Sequence, residues 1–211
     1  MISHGIYLVY HVIEFCWISA SVNISMKTFQ VTTAASDQDI HGILELQRRN
    51  LPKNISANEA ATQGFVTVNH DFNLLDAMNK PHPHIIAKAG EEVVAYALVM
   101  LRKFSAQIPV LTPMFKRIEN IQFNGQYITA EQYFIMGQVC VAKPFRSQGV
   151  FAALYEKMQQ QMHPHFNYII TEIADTNARS IRAHEKVGFT TIETYTSEGT
   201  VWHIVLLELS P

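Results

Sequence analysis

Apolar and polar positions alternate along most of the chain with the two periods that distinguish strands from helices. Residues 29–34 predict a first strand. Ser36, followed three residues later by Asp39, forms a capping box that predicts the start of a helix. The apolar face of this helix is supplied mainly by Ile40, Ile43, Leu44 and Leu46.

Strands and helices are predicted to alternate through the rest of the chain. Two glycine-containing turns, at Gly90 and at Gly199, each separate two β-rich runs and predict hairpins. The predicted strands are 85–89, 93–101, 133–141, 168–174, 190–195 and 201–209. The predicted helices are 72–78, 108–118, 150 to about 162 and 177–187, and residues 51–69 are predicted to form a polar loop.

The composition is that of a globular domain with one core. The chain has 211 residues, of which 48% are hydrophobic and 16% are charged, so a sizeable core can be buried. Its net charge of −2 argues against a nucleic-acid partner, because such proteins usually carry a basic stripe. Cys16 and Cys140 form no disulfide framework and fit a reducing, cytoplasmic compartment.

The first 25 residues differ from the rest. Residues 6–22 are almost continuously apolar but are interrupted by His11 and Glu14, and the run is short for a membrane span. No Lys or Arg precedes Lys27, which argues against a signal peptide. We therefore expect residues 1–25 to be an extension outside a single domain of residues 26–211, without stable membrane association; a packed extra element stays open.

A glycine turn at the start of a predicted helix is the first candidate for chemistry. Residues 139–151 read V-C-V-A-K-P-F-R-S-Q-G-V-F, a β-branched strand end, a turn and a helix start. The first N–H groups of a helix are unpaired and lie at its positive end, and Gly149 allows close approach to the backbone. This arrangement predicts a site for a phosphorylated ligand.

A second segment makes the signal specific. Residues 177–189 read N-A-R-S-I-R-A-H-E-K-V-G-F. The two segments together resemble the motifs of the GCN5-related N-acetyltransferases, which have Gln/Arg-x-x-Gly-x-Gly/Ala in the first and Asn, a small residue, an aromatic residue and Gly-Phe in the second. Phe151 departs from the Gly or Ala of the family, and His184 occupies the place of its aromatic residue, often Tyr.

The resemblance implies an α/β (α+β) acyl-CoA N-acyltransferase fold. Its central twisted sheet is mixed but mostly antiparallel, has about six to seven strands and is flanked by helices. It also implies transfer of an acetyl group from acetyl-CoA to a primary amine by direct attack in a ternary complex. The acceptor is expected to be a small-molecule or peptide amine, and a homodimer is left open.

The resemblance places acetyl-CoA between the two motifs. The turn takes the pyrophosphate, and the strand edge at 139–141 pairs with the pantetheine arm. A bulge there would open a slot for the thioester, where a backbone N–H such as that of Cys140 stabilises the oxyanion. The expected cofactor residues are Val139, Cys140, Val141, Arg146, Ser147, Gln148, Gly149, Val150, Phe151 and Asn177.

Three side chains are candidates for catalysis. Glu172, on the strand before the second motif, is a candidate base for the acceptor amine, with Glu131 as another. An exposed strand charge or an ion-pair partner is the alternative role for Glu172. Gln138 can orient a water molecule. His184 is a candidate acid for the departing thiolate, and a cofactor contact and a core position are its alternatives. A covalent intermediate on Cys140 is disfavoured, because a free Cys is most often a buried apolar side chain.

Other site types receive less support. The pairs His82-Pro-His84 and His163-Pro-His165 lack further ligands at metal spacing, so no metal is expected. The acceptor pocket is expected near the loop and the 109–133 insertion, with Phe65, Phe72, Met114 and Phe115 as candidates that core packing also explains. A non-catalytic acyl-CoA-binding domain is the alternative function, and a nucleotide-binding module is a third that leaves residues 177–189 unexplained.

Overall fold

The computed structural model describes residues 28–56, 58–59, 65–66 and 68–210. The predicted extension at residues 1–25 lies outside this range, as do parts of the predicted loop at 51–69. The strands are β1 (Gln30–Thr33), β2 (Ile85–Ala89), β3 (Glu92–Met100), β4 (Gln122–Phe123), β5 (Gln126–Tyr127), β6 (Tyr133–Val141), β7 (Tyr168–Ala174), β8 (Thr190–Ser197) and β9 (Thr200–Glu208). The α-helices are α1 (Asp37–Arg49), α2 (Phe72–Asn79), α3 (Thr112–Ile118), α4 (Val150–Met162) and α5 (Ala178–Lys186).

The predicted capping box at the start of α1 is confirmed. The backbone N–H of Asp39 donates to Ser36 Oγ at 3.2 Å, and the backbone N–H of Ser36 donates to Asp39 Oδ2 at 3.1 Å. The reciprocal pair satisfies two donors that the helix itself leaves unpaired. Ile40, Ile43 and Leu46 on this helix are buried, as the periodicity predicts.

Seven strands form one twisted sheet in the order β1-β2-β3-β6-β7-β9-β8. Neighbouring strands are antiparallel except for β6 and β7, which are parallel. The parallel pair requires a crossover, and α4 provides it. The predicted fold class, a mixed and mostly antiparallel sheet flanked by helices, is confirmed.

The two faces of the sheet have separate cores. One face, called here the α1–α3 face, packs against Ile43 of α1, Leu75 of α2 and Met114 of α3. The other, the α4–α5 face, packs against Leu154 of α4 and Ile181 of α5. Among the described residues no helix is both long enough and apolar enough to cross a bilayer.

The segment between β3 and β6 differs from the prediction. The predicted helix at 108–118 begins only at Thr112, after 3₁₀ turns at Arg102–Gln107 and Pro109–Leu111. The small β4–β5 hairpin was not predicted. Asn124 and Gly125 form its turn with φ angles of 52° and 79°, and the Asn-Gly pair is the sequence signal that identifies such a turn.

Candidate active site

An opening lies between β6 and β7. The two strands pair from Tyr133↔Tyr168 to Ile135↔Ile170, and no pairing continues beyond, although both strands extend further. The pairing of β6 with β3 also shifts register between Ala97 and Val99, which marks a bulge. A bulge bends a strand away from its neighbour, so the C-terminal half of β6 has a free edge toward β7.

The turn between β6 and α4 closes one end of this opening. Gly149 caps α4 with φ of 81°, and Ser147 has φ of 61°. A Cβ added to Gly149 would meet no protein atom within 4 Å, so the position faces open space. The first N–H groups of α4 therefore lie at an accessible turn, as a phosphate site requires.

A cavity of about 460 Å³ joins the turn, the end of β6 and α5. Of the ten predicted cofactor residues, only Gln148 is not part of its lining; its side-chain amide donates instead to the Pro144 carbonyl at 2.8 Å. The lining residues are Asn50, Phe65, Val66, Val139, Cys140, Val141, Phe145, Arg146, Ser147, Gly149, Val150, Phe151, Asn177, Arg179, Ser180, Arg182, Ala183 and Lys186.

The guanidinium of Arg146 forms hydrogen bonds with the protein around the turn. Its Nε donates to the Val141 carbonyl at 2.9 Å, its Nη2 to Asn50 Oδ1 at 2.8 Å, and its Nη1 to Glu59 at 3.2 Å. The side chain is 12% exposed. Because the guanidinium is engaged in these contacts, residue 146 offers a ligand its backbone more readily than its charge.

Asn177 caps α5 and also lines the cavity. Its Oδ1 accepts a hydrogen bond from the backbone N–H of Ser180 at 3.2 Å, which makes it the N-cap of α5. The residue also lines the cavity. The cap fixes the first turn of α5 against the cofactor space.

The surroundings of His184 disfavour the proton-donor role predicted for it. The residue is 1% exposed and does not line the cavity. Its Nδ1 lies 2.8 Å from the Ser180 carbonyl and its Nε2 lies 2.7 Å from the Tyr155 hydroxyl, so both ring nitrogens are engaged. Burial lowers its pKa to about 4, which keeps the ring neutral at pH 7. His184 is a core histidine, the alternative considered for it.

The packing of Phe151 explains why this position carries a large side chain where the family motif has Gly or Ala. Its ring packs against Tyr155 at 5.0 Å and against His184 at 5.1 Å between centroids. Phe189 completes this aromatic cluster between α4 and α5. A side chain at 151 therefore fills the space between the two helices rather than blocking the turn.

Glu172 lies at the opening. It follows Ile170, the last residue of β7 paired with β6, by two positions and so shares its α1–α3 face. The Tyr195 hydroxyl donates to Glu172 Oε2 at 2.5 Å. Burial raises the pKa of Glu172 to about 7, and the Tyr195 hydrogen bond partly opposes this rise. A carboxyl group poised near neutral pH is suited to proton transfer. Glu131, the other predicted base, is exposed and precedes β6, at the end away from the opening.

Gln138 is held by both ends of its amide. Tyr96 donates its hydroxyl to Gln138 Oε1 at 2.6 Å, and Gln138 Nε2 donates to the Val68 carbonyl at 2.9 Å. It is 8% exposed and lies next to the β6 bulge. These contacts hold Gln138 in place on the α1–α3 face of the opening. Because both ends of its amide are already hydrogen-bonded to the protein, they leave less capacity for the predicted role of orienting a water molecule.

Cys140 lines the cavity as a thiol. Burial raises its pKa to about 12, although nearby Arg146 partly opposes the rise. A thiol of this kind is a poor nucleophile at neutral pH, since the thiolate is the reactive form. The raised pKa thus gives no support to a covalent intermediate on Cys140.

The four acceptor candidates have three kinds of surroundings. Phe65 lines the cavity. Met114 and Phe115 are 0% and 5% exposed and belong to the core, so core packing explains these two side chains. Phe72 is half-buried and stacks on His41 with 4.8 Å between ring centroids.

Sequence reasoning missed several cavity residues. Asn50 and Val66 come from the distant α1 end and the following loop, which no local pattern links to the turn. Arg179, Arg182 and Lys186 are spaced by three and four residues on α5, and this spacing was the available signal. The described residues contain no group of three His, Cys, Asp or Glu side chains that could bind a metal ion.

The sequence profile of the Acetyltransferase (GNAT) family matches residues 40–189. None of the curated proteins matches the sequence significantly.

Solved structures share the fold at low identity. yncA, a putative acetyltransferase from Salmonella typhimurium determined with its cofactor acetyl-CoA, is 16% identical, with a TM-score of 0.56 over 86% of this chain and 94% of that one. The ribosomal-protein-S18-alanine N-acetyltransferase from Escherichia coli is 12% identical, with a TM-score of 0.55 over 87% and 96%. A chain of the NatC complex bound to Gag peptide and CoA is 11% identical, with a TM-score of 0.57 over 86% and 99%. At these identities the likeness concerns the fold.

Proposed function

The chain belongs to the acetyltransferase (GNAT) family, and we propose that it transfers an acetyl group from acetyl-CoA to a primary amine by direct attack within a ternary complex. One observation carries the proposal: the free edge of β6 leads from the helix N-terminal turn along the gap between β6 and β7, and Glu172, with a pKa of about 7, stands on β7 beyond the last paired residue, although it does not line the cavity itself. Each part corresponds to one requirement of the reaction. The use of acetyl-CoA is supported by yncA, which was determined with that cofactor.

The cofactor is held by backbone groups. The pyrophosphate accepts hydrogen bonds from the first N–H groups of α4 at Gly149, where no Cβ intervenes. The pantetheine amides pair with the edge of β6 near Val139 and Val141. This path leads the thioester to the gap between β6 and β7.

Glu172 acts as the general base. An alkyl ammonium group has a pKa near 10, so the acceptor must lose a proton before or during attack. Glu172 takes that proton while the amine nitrogen bonds to the thioester carbonyl carbon. The carbon–sulfur bond then breaks, the nitrogen gives up a second proton as the amide forms, and the CoA thiolate takes up one proton. An acceptor that starts as an ammonium group therefore releases one net proton to the solvent.

The acceptor enters from the α1–α3 face. Glu172 and Gln138 both lie on that face of the opening, whereas Val139 and Val141 pack toward α4 and α5. The two substrates thus approach from different sides, and holding them together makes the attack effectively unimolecular. A peptide amine is one acceptor class, since the NatC structure holds a Gag peptide; a small-molecule amine is the other.

The reacting domain is proposed to be residues 26–211. The profile match and the described sheet both fall within it. A protein that begins at Met26 should bind acetyl-CoA with the affinity of the full chain, and loss of binding would assign residues 1–25 to the domain. A cytoplasmic setting is supported by Cys140, a buried free thiol.

An acetyl-transfer screen tests the function. Candidate acceptors are small amines, amino acids, aminoglycosides and peptides, and release of the CoA thiol is followed with a thiol reagent. We expect acceptor-dependent release. Binding of acetyl-CoA without release for any acceptor class would favour a non-catalytic acyl-CoA-binding domain, and competition by ATP rather than CoA would favour a nucleotide-binding module.

A further inference from the structure

Helix α5 presents a row of cations to the cofactor cavity. Arg179, Arg182 and Lys186 all line it. Their spacing of three and four residues places them along one side of the helix. This row faces the glycine turn, since Gly149 and Phe151 line the same cavity.

The row concentrates positive charge in an acidic chain. The net charge of the whole sequence is −2. Among the described residues that line the cavity, four are Arg or Lys and none is Asp or Glu. A cavity with one sign of charge raises the local concentration of ligands of the opposite sign, which here are anions.

Helix stability accounts for Lys186, a cation in the last turn of α5, but not for the start of the row. Arg179 lies in the first turn of α5, where the helix dipole disfavours a cation and where this helix has no acidic residue. Arg182 and Lys186 are exposed and form no ion pair with any other described residue. Neither cation is therefore needed to neutralise a carboxylate of the described fold.

The glycine turn provides little charge of its own. Of the two cations between β6 and α4, Arg146 is engaged with the Val141 carbonyl, Asn50 and Glu59, and Lys143 pairs with Glu59. The turn can hold a pyrophosphate through N–H groups, but CoA carries a further phosphate on the 3′-hydroxyl of its ribose. This monoester is close to a dianion at neutral pH, because its second pKa is about 6.

We propose that the basic row of α5 binds the 3′-phosphate of CoA and selects CoA over 3′-dephospho-CoA. The inference rests on the proposed function, because it takes an acyl-CoA as the donor. The ribose adjoins the pyrophosphate, so a pyrophosphate at the turn brings the 3′-phosphate to the facing row. Arg182 and Lys186 are the exposed members of this row, which leaves them able to reach the phosphate.

Calorimetry with CoA and 3′-dephospho-CoA tests the selection, since the two probes differ only in that phosphate. The wild-type chain is expected to bind CoA at least tenfold more tightly. In Arg182→Gln/Lys186→Gln the preference is expected to fall to about threefold or less, with the affinity for 3′-dephospho-CoA reduced far less than that for CoA. The preference should also weaken with added salt in the wild type more than in the variant, because salt screens exposed charges.

Lys116→Gln is the matched control. Lys116 is an exposed cation on α3, which packs on the opposite face of the sheet. It should keep the wild-type preference. Equal binding of both probes by the wild type would overturn the selection while leaving the proposed function intact, and retained preference in the double variant would overturn the assignment to α5. Binding of neither probe by the wild type would overturn both this inference and the proposed function.

Discussion

Tyr155 donates a hydrogen bond to His184 across the interface of α4 and α5, with 2.7 Å between the hydroxyl oxygen and Nε2. The direction follows from the other ring nitrogen: Nδ1 lies 2.8 Å from the Ser180 carbonyl, which only accepts, so Nδ1 carries the proton. Both side chains are buried. The pair joins the helix that starts at the glycine turn to the helix that carries the second motif.

His184→Phe is expected to destabilise the protein without a large effect on turnover. It leaves the Tyr155 hydroxyl buried without a partner, which costs about 1–3 kcal/mol. Tyr155→Phe should cost a similar amount, and the double variant should cost less than the sum, because it removes both polar groups. Urea denaturation of the four proteins measures this coupling.

A different pattern would restore the proton-donor role of His184. That role requires turnover to fall by about 10²-fold in His184→Phe while stability and CoA affinity stay close to the wild type. It also requires an ionisation in the pH–rate profile that the substitution removes.

Three buried histidines should make the fold sensitive to acid. Burial lowers the pKa of His70, His84 and His184 to about 4, from an ordinary value of 6.5. Between pH 6.5 and pH 4 these histidines are protonated in the unfolded chain but stay neutral in the folded chain. The free energy of unfolding therefore falls as the pH is lowered toward 4. Each histidine contributes a slope of about 1.4 kcal/mol per pH unit in that window.

Glu172 has the opposite effect on the pH dependence of stability, but it is one group against three histidines. Its folded pKa of about 7 lies above the ordinary 4.5, so its contribution to stability is present below pH 4.5 and is lost as the pH rises toward 7. The three histidines outweigh it, and urea denaturation at pH 6.5 and pH 5 should show lower stability at pH 5. His184→Phe removes one of these histidines, so it should reduce the dependence of the free energy of unfolding on pH by about 1.4 kcal/mol per pH unit. Equal stability at both pH values would contradict the prediction.

The parts of the site that local sequence determines were predictable. The glycine turn and the Asn177 cap depend on neighbouring residues, and the structure places both at one cavity. The two main hairpins and the capping box of α1 likewise follow from short-range patterns, and all of them are confirmed.

Side-chain roles that depend on distant partners were not predictable. His184 meets Tyr155 from another helix, and a helical face alone cannot tell a cavity wall from a buried interface. Arg146 meets Asn50, 96 residues earlier in the chain, so its engagement required the fold. Phe151 reads as a departure from a motif until its aromatic neighbours are known.

Gly149→Val is expected to weaken CoA binding by more than tenfold, about 1.4 kcal/mol or more. The side chain would project into the open space at the turn, where the pyrophosphate approaches the backbone. Gly199→Val is the matched control, because Gly199 has a similar φ of 76° and open surroundings but lies in the β8–β9 hairpin. Calorimetry that gives unchanged CoA affinity in folded Gly149→Val would place the pyrophosphate elsewhere.

Glu172→Gln is expected to lower kcat by about 10²–10⁴-fold while CoA affinity stays within a few-fold, because it removes the base and leaves the cofactor turn intact. Glu156→Gln makes the same chemical change at an exposed position of α4 and should have no effect. Steady-state kinetics with an identified acceptor compare the two. Equal losses in both variants would remove Glu172 from the mechanism.

Tyr195→Phe separates a catalytic Glu172 from a structural one. The Tyr195 hydrogen bond lowers the pKa of Glu172, so its removal should raise that pKa further. Only the ionised carboxylate accepts the amine proton, so the rise of kcat/KM with pH, centred near pH 7 in the wild type, should move to higher pH in the variant. The rate at high pH should remain close to the wild-type value. A structural role would lower the rate at every pH and leave the midpoint in place, because no ionisation of Glu172 would then enter the rate.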